Sequence, residues 1–134
     1  MNKERRLQKK ADFLVVQRQG RWWSNPLLIV RVLPNQLGLS RFGFLVSKRI
    51  GNAVKRNLVK RRLREVVRKE PIPEGWDMVF IARSGLNQAT FSQTTDSVRD
   101  LLRRTKLTTP PPKAVAPGIE EPGADSRIME PPPK

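Results

Sequence analysis

The sequence predicts an α+β fold, a two-layer sandwich of helices on one mixed sheet with the element order αβββαβα. Three segments carry helical spacing or capping signals, and three short runs are rich in β-branched and aromatic residues. Residues 107–134, in contrast, hold eight of the twelve prolines and few apolar side chains. Such a segment cannot bury enough surface to offset its ordering entropy. We therefore expect a folded domain over residues 1–106 and a disordered tail over 107–134.

The first elements are predicted to be a helix and a short strand. Residues 10–18 form the predicted helix, because Asp12 suits the positive N-terminal end of a helix dipole and Gly20 ends the pattern. Trp22 and Trp23 follow as a candidate for a short first strand.

Three further runs are predicted as strands. Residues 27–33 are rich in β-branched side chains and stop at a proline, and residues 41–47 follow after a turn. A hairpin between these two strands is the simplest pairing. Residues 76–82 are nearly all apolar, which is typical of a strand covered on both faces, so we expect this strand to be central in the sheet.

Two longer helices complete the domain. The second helix is predicted over residues 52–69, where the hydrophobic period becomes helical, and Pro71 ends it. The third begins at Thr90, which has capping-box spacing to Gln93. The apolar stripe of the second helix is Val54, Leu58, Val59, Leu63, Val66 and Val67, and that of the third is Thr94, Val98, Leu101 and Leu102.

The charge of the chain indicates its partner. Residues 1–106 contain 24 Lys and Arg against 8 Asp and Glu, a balance of +16, while the remaining residues contribute −1. A compact domain this basic repels itself unless a polyanion neutralises it. A nucleic acid, an anionic membrane surface and an acidic protein all fit, and nucleic acid is favoured. No apolar run resembles a signal peptide or a membrane span, so we expect a cytoplasmic protein.

The composition argues against most catalytic sites. The chain has no histidine and no cysteine, which removes Ser-His triads, Cys-His pairs and most zinc sites. The acidic residues of 1–106 are scattered singly, whereas a two-metal nuclease needs several converging carboxylates. No glycine-rich phosphate loop is present. We therefore expect no catalytic residue and no metal site in the protein itself.

The most distinctive feature is the one-sided positive charge of the second predicted helix. Glu65 is the only acid between residues 47 and 69, whereas a solvated helix normally mixes both signs. A uniform cationic face opposite the apolar stripe favours binding to phosphates. Its candidate residues are Asn57, Lys60, Arg61, Arg64 and Arg68, with Arg56 at the edge; Arg62 falls on the apolar side and has no assigned role.

The turn before this helix is a second candidate anion site. Gly51 and Asn52 supply a tight turn, and the free N–H groups at a helix start attract anions. Ser47, Lys48 and Arg49 lie at the mouth of this turn and join the candidate set.

Several segments resemble the bacterial ribonuclease P protein family in order and spacing. They include Gly-Phe-Leu-Val-Ser-Lys at 43–48, Gly-Asn-Ala-Val at 51–54 and Arg-Asn-Leu-Val-Lys-Arg-Arg-Leu-Arg-Glu at 56–65. Shorter pieces flank them, among them Asp-Met-Val-Phe-Ile-Ala-Arg at 77–83 and Leu-Leu-Arg-Arg at 101–104. The resemblance covers residues 5–106, and the string from 43 to 65 is its most specific part.

This resemblance implies a left-handed crossover around the second helix and an active site in a large catalytic RNA. Magnesium would be held chiefly by RNA phosphates, and the protein alone would be inactive. The basic helix and the turn before it would contact that RNA. A cleft between the first helix and the sheet would bind the 5′ leader of precursor tRNA through Phe13 and Arg31, and cleavage would leave the mature tRNA 5′ end. Neither a membrane nor DNA is expected as a partner.

The sequence also departs from the family pattern. Leu58 stands where the family has a second arginine, so that one RNA contact is missing or replaced by packing. Gln17 and Arg31 stand where aromatic residues are frequent, which predicts weaker base stacking and a compensating cation. Phe13 fits core packing as well as leader binding. Trp22 and Trp23 are interpreted as core or loop cover.

Other functions remain open at this point. A structural RNA-binding protein, such as a ribosomal protein or RNA chaperone, would share the charge and the fold class without the string at 43–65. A binder of membranes or acidic proteins would need an apolar helix face that the core is expected to use. A protein-only nuclease would need site chemistry that the sequence lacks.

Overall fold

The structure, a computed structural model, describes residues 3–108 of the 134. The order of helices and strands confirms the predicted αβββαβα arrangement and the α+β class. Short 3-10 turns lie at Lys3–Arg5, Lys48–Ile50 and Ser84–Gln88. The main elements are α1 (Lys10–Gln19), β1 (Arg21–Ser24), β2 (Leu28–Pro34), β3 (Arg41–Leu45), α2 (Ala53–Arg68), β4 (Trp76–Ala82) and α3 (Phe91–Thr105).

The sheet has the strand order β1-β2-β4-β3 and is mixed. β1 pairs antiparallel with β2, β2 pairs antiparallel with β4, and β3 pairs parallel with β4. The predicted hairpin between residues 27–33 and 41–47 is therefore wrong. β4 is buried at all seven positions, so it takes the central place between β2 and β3, and the true hairpin joins β1 to β2.

The β3–α2–β4 unit is a left-handed crossover. Arg83 donates its N–H to the carbonyl of Leu27, so odd-numbered residues of β4 direct their backbone groups toward β2 and even-numbered residues toward β3. The even-numbered side chains Met78 and Phe80 face α2 and α3. We view the sheet with β3 and β4 running upward and with α2 and α3 in front of it. For L-amino acids, these backbone and side-chain directions place β3 to the right of β4. The connection from β3 through α2 to β4 therefore moves to the left, whereas nearly all such connections are right-handed.

Helices cover both faces of the sheet. Helices α2 and α3 lie on one face, where the larger core includes Val30, Phe80 and Leu63. Helix α1 lies on the other, which we call the outer face, where Val16 packs with Ile29 and further strand residues in a smaller core. Within residues 3–108 the outer face thus carries a single helix, and Trp22 of β1 stays half-exposed on this face.

The apolar stripe of α2 reaches the core only in its second half. Val59, Leu63, Val66 and Val67 are buried, whereas Val54 is 75% exposed and Leu58 is 37% exposed. The expectation that the whole stripe packs is thus wrong for its first turns. A helical wheel gives the direction of a side chain, but it does not show how far along the axis the packing partner extends.

The predicted capping residues are in place at both long helices. Thr90 and Gln93 form the reciprocal capping box of α3, and the Asn52 side chain caps α2. The folded unit extends two residues past the predicted boundary: Leu107 packs against the larger core, and the carbonyl of Thr108 accepts a hydrogen bond from Nε1 of Trp76 at 2.8 Å. The rest of the predicted tail lies outside the described residues.

Candidate nucleic-acid interface

Helix α2 presents a basic face to solvent. Its start is fixed by Asn52, whose Oδ1 accepts a hydrogen bond from the N–H of Lys55 at 3.0 Å. Its rotation is fixed because the opposite side is buried in the core. The outward side carries the predicted phosphate-binding residues, each exposed or half-buried, and these five define the basic face: Asn57, Lys60, Arg61, Arg64 and Arg68.

The cations of the basic face differ in their protein partners. Glu65 accepts a short hydrogen bond from Arg68, and this guanidinium lowers the pKa of the Glu65 carboxyl below its ordinary value. Arg68 is therefore partly neutralised before any ligand binds. Within residues 3–108, Lys60, Arg61 and Arg64 take part in no ion pair. These three cations are the part of the face that is free to bind phosphate.

The turn in front of α2 adds two exposed cations, Lys48 and Arg49. The Oγ of Ser47 accepts a hydrogen bond from the N–H of Arg49 at 3.3 Å and begins the 3-10 turn. Gly51 has a φ of 149°, a conformation that other residues rarely adopt, and its carbonyl accepts a hydrogen bond from Nε of Arg56 at 3.2 Å. The N-terminus of α2 thereby brings together Ser47, Lys48, Arg49, Asn52 and Arg56.

Asn87 belongs to this region, although the sequence did not identify it. Its Nδ2 donates a hydrogen bond to the carbonyl of Ile50 at 3.0 Å and thereby ties the turn Ser84–Gln88 to the turn before α2. The two residues are 37 positions apart, so no pattern within one segment could have revealed the contact. Asn87 holds the basic turn against the rest of the domain.

The second predicted site lies on the outer face of the sheet. The pairing register aligns Trp22, Arg31, Val79 and Gly43 in one row across all four strands, and we call this set the outer-face row. The ring of Phe13, on α1, lies directly over Gly43. The two predicted leader-binding residues therefore share the outer face: Arg31 belongs to the row, and Phe13 lies over its Gly43 position.

Phe13 and Arg31 do not lie side by side, however. Val79 stands between them in the row and is fully buried beneath α1. Strands are about 4.8 Å apart, so the two positions are separated by roughly 10 Å. A ligand that reaches both must therefore extend over at least one nucleotide. The cleft that was expected to bring Phe13 and Arg31 together is thus an extended surface that runs across the strands.

Arg31 has an unusual environment for an arginine. Its residue surface is 8% exposed, and its Nε is fully enclosed without a hydrogen-bond partner. Its Cζ lies 5.7 Å from the centre of the Trp22 ring, a cation–π contact. Burial lowers the pKa of the guanidinium from its ordinary value. Trp23, which was expected to be core, is buried in the larger core, whereas Trp22 is only half-buried and contacts Arg31.

Several acidic residues form ion pairs within the domain. Glu74 accepts two hydrogen bonds from Arg5, at 2.8 and 2.9 Å, and Asp77 accepts two from Arg41, at 2.9 and 2.7 Å. Asp12 lies 3.6 Å from Arg41. Across residues 3–108, no group of three or more acidic, histidine or cysteine side chains comes together in a way that could hold a metal ion. The donor set for a two-metal centre is therefore not assembled in this part of the chain.

Residues 1–106 match the protein-family model described as Ribonuclease P. The chain belongs to the ribonuclease P protein family. The ribonuclease P protein component of Dehalococcoides mccartyi is 40% identical over 107 residues, which cover 80% of this chain and 89% of that relative. That of Roseiflexus castenholzii is 44% identical over 107 residues, which cover 78% of this chain and 88% of the relative.

Solved ribonuclease P proteins share the fold. The protein from Staphylococcus aureus superposes with a TM-score of 0.70 at 34% identity, covering 76% of this chain and 95% of its own. The protein from Thermotoga maritima gives 0.68 at 32% identity, covering 74% and 96%. Membership assigns the chain to tRNA processing as the RNA-binding protein component of ribonuclease P, with ribonuclease P RNA as its partner. No helix within the described part is long and apolar enough to cross a membrane.

Proposed function

We propose that this chain binds ribonuclease P RNA through α2 and the 5′ leader of precursor tRNA through the outer face of the sheet. In this way it assists removal of the leader in the cytoplasm, which gives the mature tRNA 5′ end. Phosphodiester hydrolysis is carried out by the RNA with Mg²⁺ held chiefly by RNA phosphates. The protein supplies binding and orientation, and it is inactive alone.

The observation that carries the RNA contact is the unpaired charge of the basic face. Lys60, Arg61 and Arg64 have no acidic partner among the described residues, and Lys48 and Arg49 extend the positive surface past the N-terminus of α2. Arginine matches phosphate with a planar fork of N–H donors, so such a surface suits an RNA backbone. Each phosphate neutralised releases counterions, which makes the binding salt-dependent.

The leader contact is supported by the position of Phe13 and Arg31 on the outer face. A half-buried aromatic ring and a cation roughly 10 Å apart can hold a single strand by stacking and by phosphate attraction. Stacking on an aromatic ring needs unpaired bases, which a single-stranded leader offers and the paired stems of a tRNA do not.

The proposal that the RNA carries out the chemistry is supported by the lack of a suitable metal-ligand set within residues 3–108. The carboxylates of residues 3–108 are held in ion pairs or lie singly, and histidine and cysteine do not occur in the chain. Mg²⁺ prefers oxygen ligands and keeps several waters, and RNA phosphates provide such ligands in quantity. No reaction step is therefore assigned to a side chain.

The test is cleavage of precursor tRNA by a bacterial ribonuclease P RNA at low Mg²⁺, with and without this protein. The protein is expected to raise the rate with the RNA and to give no product without it. If the protein binds the RNA but leaves cleavage unchanged, it is a structural RNA-binding protein instead. If RNA-free protein cleaves precursor tRNA in the presence of Mg²⁺, the assignment of the chemistry to the RNA is wrong.

A further inference from the structure

Among the described residues, no acceptor binds the donors of the Arg31 side chain. The residue is 92% buried, its Nε has no partner, and its guanidinium takes part in no ion pair or side-chain hydrogen bond in this part of the chain. Arg5 and Arg41, in contrast, each bind a carboxylate through two hydrogen bonds. A guanidinium carries five N–H donors and no acceptor, so a buried one normally has such a partner. The terminal N–H groups of Arg31, which are not fully enclosed, are therefore free to bind an acceptor from outside the fold.

Trp22 explains how Arg31 is held without an acceptor. The two residues are direct cross-strand partners of β1 and β2, and the guanidinium lies over the indole ring at 5.7 Å. A cation–π contact uses the electron-rich face of the ring and consumes no N–H donor of the arginine. The ring therefore fixes the orientation of the guanidinium and shields one side of it from water, while the donors remain available.

We propose that Trp22 is a positioning residue that holds Arg31 as a site for one backbone phosphate of single-stranded RNA. This inference rests on the proposed leader contact and specifies its chemistry. The planar fork of an arginine fits two phosphate oxygens, and the enclosed setting strengthens the charged hydrogen bonds. Base identity plays no part in such a contact. This chain accordingly holds the leader at Arg31 by charge, in a family where aromatic residues are frequent at that position.

The experiment places a single neutral methylphosphonate linkage at each leader position of precursor tRNA in turn. Affinities are measured for the holoenzyme reconstituted with a bacterial ribonuclease P RNA. For the wild-type protein, one position is expected to weaken binding about tenfold, the scale of one charge-assisted hydrogen bond. With Arg31→Gln the unmodified precursor should bind about tenfold more weakly, and the same neutral linkage should cause no further loss.

Trp22 variants separate positioning from packing. Trp22→Ala should remove most of the methylphosphonate effect, and Trp22→Phe, which keeps an aromatic face, should restore it. In the double variant with Arg31→Gln, the tryptophan change should add nothing to the loss of leader affinity. Arg21→Ala is the matched control, because this substitution also removes one positive charge that lies over a tryptophan. Arg21 lies over Trp23 at 5.8 Å, on the opposite face of the sheet. It should leave the methylphosphonate profile unchanged.

Each contrary result has a distinct meaning. If the wild-type holoenzyme binds precursor and mature tRNA equally, leader binding itself fails, and the role of Trp22 falls with it. If leader binding is present but the neutral linkage weakens wild type and Arg31→Gln alike, Arg31 does not bind that phosphate. If Trp22→Ala keeps the full profile, or if Trp22→Phe loses it as Trp22→Ala does, the ring does not position Arg31 through its aromatic face.

Discussion

The ring of Phe13 occupies the space above Gly43 in which a side chain of β3 would otherwise stand. A Cβ on Gly43 would lie 2.6 Å from Cζ of Phe13, closer still to Cε1, and 3.2 Å from a methyl group of Leu7. Only glycine leaves room for this contact. Phe13 is half-buried, so its ring docks α1 on the sheet and still presents one side to solvent.

Gly43→Ala should therefore destabilise the domain, because the added methyl overlaps the ring. Overpacking of this kind typically costs about 1–3 kcal/mol. Phe13→Ala should also destabilise, but the double variant should lose less than the sum, because the two changes remove and refill the same space. Urea unfolding of the four proteins measures the coupling. Strict additivity would mean that the ring does not press on Gly43 in solution.

The same Phe13→Ala variant tests whether the ring also contacts the leader. Stacking of one base is worth about 1–3 kcal/mol, so precursor tRNA should bind more weakly while mature tRNA is unaffected. The measured quantity is the ratio of the two affinities in the reconstituted holoenzyme. A large loss of stability with an unchanged ratio would make Phe13 a core residue only.

The basic face of α2 gives a third prediction. Arg61→Ala with Arg64→Ala should leave the fold intact, weaken assembly with ribonuclease P RNA and reduce the salt dependence by about one unit of slope per lost contact. Arg103→Ala serves as a control, because Arg103 is equally cationic, is exposed on α3 and already pairs with Asp100 at 3.5 Å. Unchanged affinity and slope for the α2 variant would remove this face from the interface.

Leu58 offers a gain-of-binding test. The sequence resemblance predicts an arginine at this position, and Leu58 is 37% exposed and outside the core clusters. Leu58→Arg should thus cost less than about 1 kcal/mol of stability, as is usual for surface changes. It should tighten assembly with the RNA and raise the salt slope by about one unit. Val54→Arg adds the same charge one turn earlier in α2 and so measures the effect of charge alone. If both variants gain the same affinity for the RNA, residue 58 makes no specific contact.

Glu74 gives a prediction about acid stability. The two hydrogen bonds from Arg5 lower the pKa of its carboxyl, and the N–H of Ser40 adds a third bond. A carboxyl with a depressed folded-state pKa contributes stability above its unfolded value, near 4.3, and loses it as the pH falls through the folded value. Glu74→Gln should therefore show a shallower loss of melting temperature below about pH 4.5. The side chain is partly exposed, so the effect is small.

Asp96→Asn is the control for that titration. Asp96 is exposed and takes part in no ion pair within the described residues. Its replacement should therefore leave the loss of melting temperature at low pH as it is in wild type. If Glu74→Gln and wild type lose stability in parallel, the Arg5 contact contributes nothing measurable in solution.

Local chemistry explains which elements could be predicted from the sequence. The capping box at Thr90, the side-chain cap at Asn52 and the uniform charge of α2 each depend on residues a few positions apart. Strand pairing does not: β4 enters between β2 and β3 because its full burial is best satisfied there, and no short pattern encodes that choice.

The same reason limits prediction of the site. The basic face follows from helical period, because its five residues lie on one side of α2, and its role in binding RNA stays a prediction. The contacts of Gly43 with Phe13, of Arg31 with Trp22 and of Asn87 with Ile50 depend on register and on loops far apart in the chain. Trp22 in particular was interpreted from the sequence as a core or loop-covering residue. Its contact with an arginine follows from the pairing of β1 with β2, which the sequence did not predict.

The C-terminal boundary gives the last prediction. Residues 107–134 were expected to form a disordered tail, yet Leu107 packs on the core and the carbonyl of Thr108 accepts a hydrogen bond from the indole N–H of Trp76. A chain that ends at Lys106 leaves that buried donor unpaired and uncovers apolar surface, which should cost about 1–3 kcal/mol.

A chain that ends at Pro110 keeps both contacts, so it should match the full chain in melting temperature and in support of cleavage. The two truncations differ by four residues, and thermal melting of both with the full chain as reference measures the boundary directly. Equal stability for the shorter chain would mean that Trp76 finds water as its acceptor. A loss for the chain ending at Pro110 would assign a stabilising role to residues 111–134.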